Sequence, residues 1–196
     1  MNKLSIIDKK LRGIRDEIVD CRKCPLHKNR TLPVIGQGSH QAEIMLVSEA
    51  PGYWEDQKGE PFVGAAGGVL NELLDFVGIK REEVYICNIL KCRPPQNRNP
   101  QKDEIAACVP YLEKQIRIIR PKLIGSLGNY ATAYLLEKFG LSDKIQGISK
   151  IHGQVFEARA DFGPIKIIPL YHPAVAVYNE RMKETLKNDF QILNER

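Results

Sequence analysis

The segment IMLVSEAPG, residues 44–52, carries the clearest structural signal. Its first four residues are an apolar run of strand length that passes straight into a polar segment closed by Pro51 and Gly52. A short apolar run ended by turn residues reads as a buried strand. Working outward, Val84–Leu90, Leu123–Gly125 and Ile165–Leu170 have the same character, and Val155-Phe156 reads as an edge strand. Helical spacing fills the gaps. Ile7, Leu11, Ile14 and Ile18 share a face of a segment from Leu4 to about Asp20, and Val69, Leu70, Leu73, Leu74 and Val77 mark a helix stopped near Gly78. Asn99 is placed to cap a further helix with Pro100 in its first position, interrupted at Pro110 and continuing to Ile119. Ala131–Phe139 and Glu180–Leu193 give two more helices. Cys21–Ser39, the stretch up to Gly64, and Cys92–Pro100 read as loops.

Strands alternating with helices predict an α/β domain with a largely parallel central sheet. Ligand sites in such sheets lie at the carboxyl ends of the strands. Three polar segments fall there: Ser48–Gly52, the region around Asn88, and Tyr171–Pro173.

The bulk numbers bound the class. A chain of 196 residues fits one domain, residues 1–196, with a single sizeable core. The balance of 29 Lys and Arg against 24 Asp and Glu gives a formal charge of +5, compatible with a polyanionic partner. No apolar run is long enough to span a membrane, and the start MNKLSIIDKK has no signal-peptide core, so an intracellular, cytoplasmic location is expected. No repeat or oligomerisation signal is visible, which makes a monomer the expectation.

Five cysteines in a reducing compartment point to ligands, reactive thiols or packing rather than disulfides. Cys21 and Cys24 form a CxxC pair, whose short turn lets both sulfurs reach one metal centre, while Cys92 and Cys108 are separated by fifteen residues. Four thiolates would suit zinc or an iron–sulfur cluster equally. The alternative is a redox pair at Cys21 and Cys24, with Cys92 and Cys108 in the core. Cys87, inside a strand, reads as packing.

Several ordered motifs carry a family resemblance: CRKCPLHKNR from Cys21, SEAPGYWEDQKGEPFVGAAG from Ser48, NILKCRPPQNRNP from Asn88, CVPYL from Cys108, LGN around Gly128 and HPA at His172. Together they resemble the iron–sulfur (family 4) uracil-DNA glycosylases, from Cys21 to the C-terminal helix. The resemblance implies a three-layer α/β/α fold and hydrolysis of the N-glycosidic bond of deoxyuridine in DNA. It implies a 4Fe–4S cluster on Cys21, Cys24, Cys92 and Cys108 that ties the N-terminal helix and loop to the domain. The partner implied is uracil-containing DNA, single- or double-stranded, in a nucleoid-associated setting. Contact with a replication clamp is not readable from the residues.

Residue roles follow from the same resemblance. Asn88 reads the base, accepting from N3–H and donating to O4, a pattern cytosine reverses. Phe62 stacks on the flipped base, and His172 donates to uracil O2 as negative charge builds there. Glu49 is a catalytic candidate that lies against the base edge or orients water. Ala50 lines the substrate site where other superfamily members carry a water-positioning aspartate. Glu55 fills the space near C5 and excludes the thymine methyl. Arg93, Asn97 and Arg98, with Lys91 before them, are candidates for phosphate contact. Apart from the resemblance, Ala174–Tyr178 is a candidate wedge or packs under the last helix, and His152 reads as structural or as a DNA-backbone contact. Ser48 departs from the family motif, which usually has glycine there.

Two readings from other classes compete. A cluster-bearing DNA-binding module without catalysis would need the four thiolates but not Asn88, Phe62 and His172. A phosphate loop at Ser48–Gly52 lacks the required glycine spacing and lysine, and Glu49 would repel phosphate. A third alternative is a related glycosylase that also accepts other deaminated bases such as hypoxanthine.

Overall fold

The computed structural model describes residues 3–194. Its strands are β1 (Gln37–Gly38), β2 (Ile44–Ser48), β3 (Tyr85–Asn88), β4 (Leu123–Leu127), β5 (Phe156–Ala160) and β6 (Gly163–Leu170). Its helices are α1 (Lys3–Val19), α2 (Tyr53–Lys58), α3 (Ala65–Phe76), α4 (Lys102–Ile119), α5 (Asn129–Lys138), α6 (Ile148–Ile151), α7 (Ala174–Tyr178) and α8 (Met182–Gln191). The strands form one sheet in the order β1-β3-β2-β4-β6-β5. The inner four are parallel, and β1 and β5 join the two edges antiparallel.

The period of two along a strand sends alternate side chains to opposite faces. On β2, Met45 and Val47 pack with Leu11, Ile14 and Ile18 of α1, Leu112 and Ile116 of α4, and Leu135 of α5. Ile44 and Leu46 pack on the other face with Leu70 and Leu73 of α3 and with Leu186 and Phe190 of α8. The result is the three-layer α/β/α architecture with a largely parallel sheet. Among the described residues no helix is long and apolar enough to cross a membrane.

Four local expectations are corrected. The helix expected to start after Asn99 begins at Lys102, with Gln101 as its cap. Glu104 reaches back to the Gln101 N–H at 2.8 Å, which fixes the start two residues later than Pro100 suggests. Pro110 does not interrupt α4. It lies on the exposed side, as does Ala106, the residue whose carbonyl loses its helical partner to the proline. Tyr53–Lys58 is helical rather than loop, with Gly52 before it and Gly59 closing it in the left-handed conformation. Lys91, expected near phosphates, is 1% exposed and lies inside the molecule.

The parallel strands bring their carboxyl ends to one edge. Ser48 at the end of β2 pairs in register with Asn88 at the end of β3. His172 follows two residues after the end of β6.

Candidate active site

A cleft of about 550 Å³ opens at this edge. It gathers Ser48, Glu49, Ala50, Glu55, Phe62, Asn88 and His172 in one wall set, with Asn97 and Arg98 also lining it. Asn88 is 2% exposed, and no described residue engages its side-chain amide. Its main-chain carbonyl accepts from Lys91 Nζ at 2.8 Å, and the same Nζ donates to Gln115 Oε1 at 2.8 Å. The backbone that carries Asn88 is therefore held from behind while its amide remains available to the cleft.

The geometry assigns the proton on His172. The Ala174 main-chain N–H can only donate, and it does so to His172 Nδ1 at 3.1 Å. The ring proton of the neutral imidazole therefore sits on Nε2, which donates to Ser48 Oγ at 3.0 Å. Burial lowers the His172 pKa to about 4, only partly opposed by the Glu55 carboxylate, so the ring is neutral near pH 7. Ser48 is 1% exposed and does not occupy the left-handed region, so serine fits this position without backbone strain.

Phe62 does carry strain, with φ of 53°. Two contacts hold it. Its ring stacks on His172 with centroids 5.5 Å apart, and its carbonyl lies against Gly67, where a Cβ would come within 1.9 Å. The next turn is clamped by Glu55, whose Oε1 accepts from the Val63 and Gly64 N–H groups at 2.9 and 3.0 Å. Gly52 makes room for that carboxylate, since a Cβ there would lie 2.7 Å from Glu55 Oε2. Glu49 is half-buried, and desolvation raises its carboxyl pKa. The Ala50 position offers no carboxylate.

The polar loop before α4 has two left-handed residues, Gln96 and Asn97. Asn97 Oδ1 accepts from Arg93 Nε at 2.7 Å. Arg98 is engaged by Glu104 through two bonds of 2.9 and 2.6 Å, which hold the Glu104 carboxyl below its usual pKa. Its guanidinium thus braces the start of α4. His152 pairs with Asp189 at 2.9 Å and packs its ring on Tyr171, outside the cleft lining.

Away from the cleft, Cys21, Cys24, Cys92 and Cys108 line one small pocket together with Arg30 and Lys91. None is in a disulfide. Arg30 Nη1 donates to Cys92 Sγ, and the Lys91 N–H to Cys108 Sγ, each at 3.2 Å. Desolvation raises the pKa of Cys24 and Cys92 and brings Cys108 to about 11. Among the described residues no three His, Cys, Asp or Glu side chains are placed to hold a single metal ion. The four thiols around one pocket, with donors already aimed at two of them, fit a four-sulfur centre. Positive charge arriving there would supply what ionises buried thiols. Cys87 is wholly buried in β3 and takes part only in packing. Sequence reasoning missed the bracing side of this site: Arg30 and Lys91 lie inside quoted motifs that assign them no bracing role, and Gln115 lies outside them.

Residues 35–195 match the family model of the uracil DNA glycosylase superfamily, and the chain belongs to that superfamily. It is 44% identical over 94% of its length to the type-4 uracil-DNA glycosylase of Sulfurisphaera tokodaii, covering 84% of that protein. It is 46% identical over 91% of its length to the Archaeoglobus fulgidus type-4 enzyme, covering 89% of it, and 43% identical over 85% to that of Thermotoga maritima, covering 82%. Within the superfamily it stands with the type-4 enzymes.

Proposed function

We propose that this chain is a DNA repair enzyme that removes uracil from DNA by hydrolysing its N-glycosidic bond. The observation that carries the reading is the meeting of Asn88, Phe62 and His172 on one cleft at the strand ends of a type-4 chain. A base inside a duplex hides its glycosidic bond, so the nucleotide enters the cleft flipped, at a cost of a few kcal/mol. Asn88 spends its free amide on N3–H and O4. Phe62 supplies a face for stacking. Glu55, fixed by two main-chain donors, walls the C5 side against a methyl group.

The C1′–N1 bond breaks with its electron pair going to N1 of the leaving base, and the charge spreads to O2. Nε2–H of the neutral His172, accepted by Ser48 Oγ in the free protein, would turn to that oxygen. A neutral donor stabilises the developing anion without first attracting a phosphate. Water adds to C1′ and its proton passes to solvent or to the Glu49 carboxylate, the departing uracil anion takes up a proton from solvent, and the products are uracil and an abasic deoxyribose. With Ala50 in place of a carboxylate, a loose, cationic sugar in the transition state must accept a weakly activated water.

Cys21, Cys24, Cys92 and Cys108 would hold a 4Fe–4S cluster. When bound it ties the loop after α1 to the start of α4, so that residues 1–196 act as one domain. Arg93 and Asn97 face the phosphates, Arg98 contributes by holding their loop, and Val177 or Tyr178 of α7 is placed to wedge the strand. The enzyme works as a monomer on DNA inside the cell.

The test uses cluster-loaded protein and end-labelled strands carrying uracil, thymine, cytosine or hypoxanthine, followed by alkaline cleavage of abasic sites. Cutting at uracil, lost on Asn88→Ala and His172→Ala, is expected. Failure to cut uracil with the visible absorption of the cluster intact would overturn the reading.

A further inference from the structure

Three of the four exposed aromatic side chains among the described residues, Tyr53, Trp54 and Tyr178, lie on the rim of the same cleft. Trp54 is 56% exposed at that point. Exposed aromatics gathered beside a ligand cleft mark a contact surface.

Trp54 is exposed but not loose. Its Cδ1 and Cβ stand 3.4 and 3.8 Å from the position a Cβ would take on Gly64, so that glycine gives the indole its seat. Tyr53 meets it edge to face, with centroids 5.2 Å apart and planes at 78°. The Arg93 guanidinium stands 5.1 Å from the Tyr53 ring centroid and is tethered in turn by Asn97. Glu55 Oε1 stands against the same glycine and fixes the turn after Phe62, so the indole sits beside the pocket wall.

We propose that Trp54, braced by Tyr53 and Arg93, is a stacking platform for the nucleobase next to the excised uracil, and that it takes this base from an unpaired strand. The proposal rests on the cleft being the uracil site. Every base offers a π-face, so the platform is tolerant of sequence, and the neighbouring cation suits the phosphates on either side. In a duplex, pairing and stacking keep the neighbouring base within the helix. In a single strand the base can turn onto the indole. The aromatic rim therefore adds affinity for single-stranded substrates above that for paired ones.

Trp54 is the sole tryptophan of the chain, so intrinsic emission reports on this one ring. Cluster-loaded protein is titrated with a strand carrying 2′-fluoro-2′-deoxyuridine, whose glycosidic bond persists, either alone or paired opposite guanine. Emission quenched by the single strand is expected. Trp54→Ala should weaken single-strand binding, read by anisotropy of a labelled strand, on the order of tenfold and duplex binding by far less. Trp54→Phe should recover most of the loss. Unchanged emission with the single strand bound, or equal affinities in Trp54→Ala and the parent, would overturn the platform and leave the rim to a protein partner. An equal loss on both substrates would overturn the single-strand preference. Excision of ordinary deoxyuridine by the parent protein is measured alongside. If it cuts, these outcomes bear on the platform alone. If it does not cut, the cleft reading itself falls.

Discussion

The cleft and the cysteine corner meet in the segment Asn88–Cys92, yet they use their polar atoms in opposite ways. In the cleft, groups are held but left unspent: the Asn88 amide has no partner among the described residues, and the Glu49 carboxyl sits half-buried. In the corner, the sulfurs are turned inward and two already receive donors from Arg30 and Lys91. Recognition needs hydrogen-bonding capacity still free when the ligand arrives. Anchoring needs that capacity consumed. Lys91 joins the two regimes, since its N–H serves Cys108 while its Nζ serves the carbonyl behind Asn88.

The largest effect should come from the anchoring side. Cys92→Ser removes a proposed ligand and should cost more than about 4 kcal/mol, the range reached when a bound metal centre is lost. Tm should then fall by roughly 10 °C, together with the visible absorption. A full Tm with the absorption gone would break the contrast, because the corner would then not be an anchor. On the recognition side, Asn88→Ala should lower kcat/KM for uracil by about 10²–10³, in the range of a lost buried contact to the reacting base. Its Tm should hardly move, since the amide supports nothing else.

His172 belongs to the cleft but carries a stability signature. Its pKa is about 4 in the fold against an ordinary value of 6.5. As pH falls, the unfolded chain takes up the proton first, so the fold loses stability between pH 6.5 and 4 by up to roughly 3 kcal/mol. Protonation of Nδ1 would also break its bond from the Ala174 N–H. Thermal melts of the parent should therefore decline over this window more steeply than those of His172→Gln. Matching slopes would show that the ring is not held neutral by burial. Lys91→Met probes the joint between the regions. It strands the Asn88 carbonyl and Gln115 Oε1 and should cost about 2 kcal/mol. Excision should fall with the cluster absorption retained. Loss of both together would show that Lys91 serves the cysteines alone.

The two regions also differ in how far the sequence disclosed them. The parallel sheet was legible because buried strands such as Ile44–Val47 are continuous apolar runs, and strand ends then located Ser48, Asn88 and His172 on one edge. The four thiols stood out in the sequence, though spacing alone left open zinc, a cluster, or a redox pair with two core cysteines. Side chains that act through a partner were not legible. Lys91 looks like one more basic loop residue, and only the fold places it between Asn88 and Gln115. Arg98 looks free for phosphate until Glu104, six residues on, is brought back against it. The helix at Tyr53–Lys58 was hidden because its six residues include three charged ones and no apolar stripe, and glycines rather than side-chain caps bound it. The tautomer of His172 depends on a hydrogen bond from the main chain, which no residue pattern encodes.

Ser48 offers the smallest and sharpest test. It stands where the family motif usually has glycine, and its hydroxyl accepts the one ring proton that His172 is proposed to offer uracil. A substrate oxygen must therefore draw Nε2–H away from Ser48 Oγ or share it. Ser48→Gly removes this competitor. The ring remains oriented by the Ala174 N–H on Nδ1 and by the stack on Phe62. One neutral hydrogen bond is worth about 1 kcal/mol net, so KM should fall by up to about fivefold with kcat nearly unchanged. That result would place Ser48 with the unspent groups of the cleft, holding a donor in reserve until the base arrives. A drop in kcat of about 10² or more, the cost of a lost transition-state donor, would instead make the hydroxyl part of the apparatus that meets the developing charge. The contrast between the regions would then narrow, because a residue that looks spent in the free protein would be acting directly on the substrate.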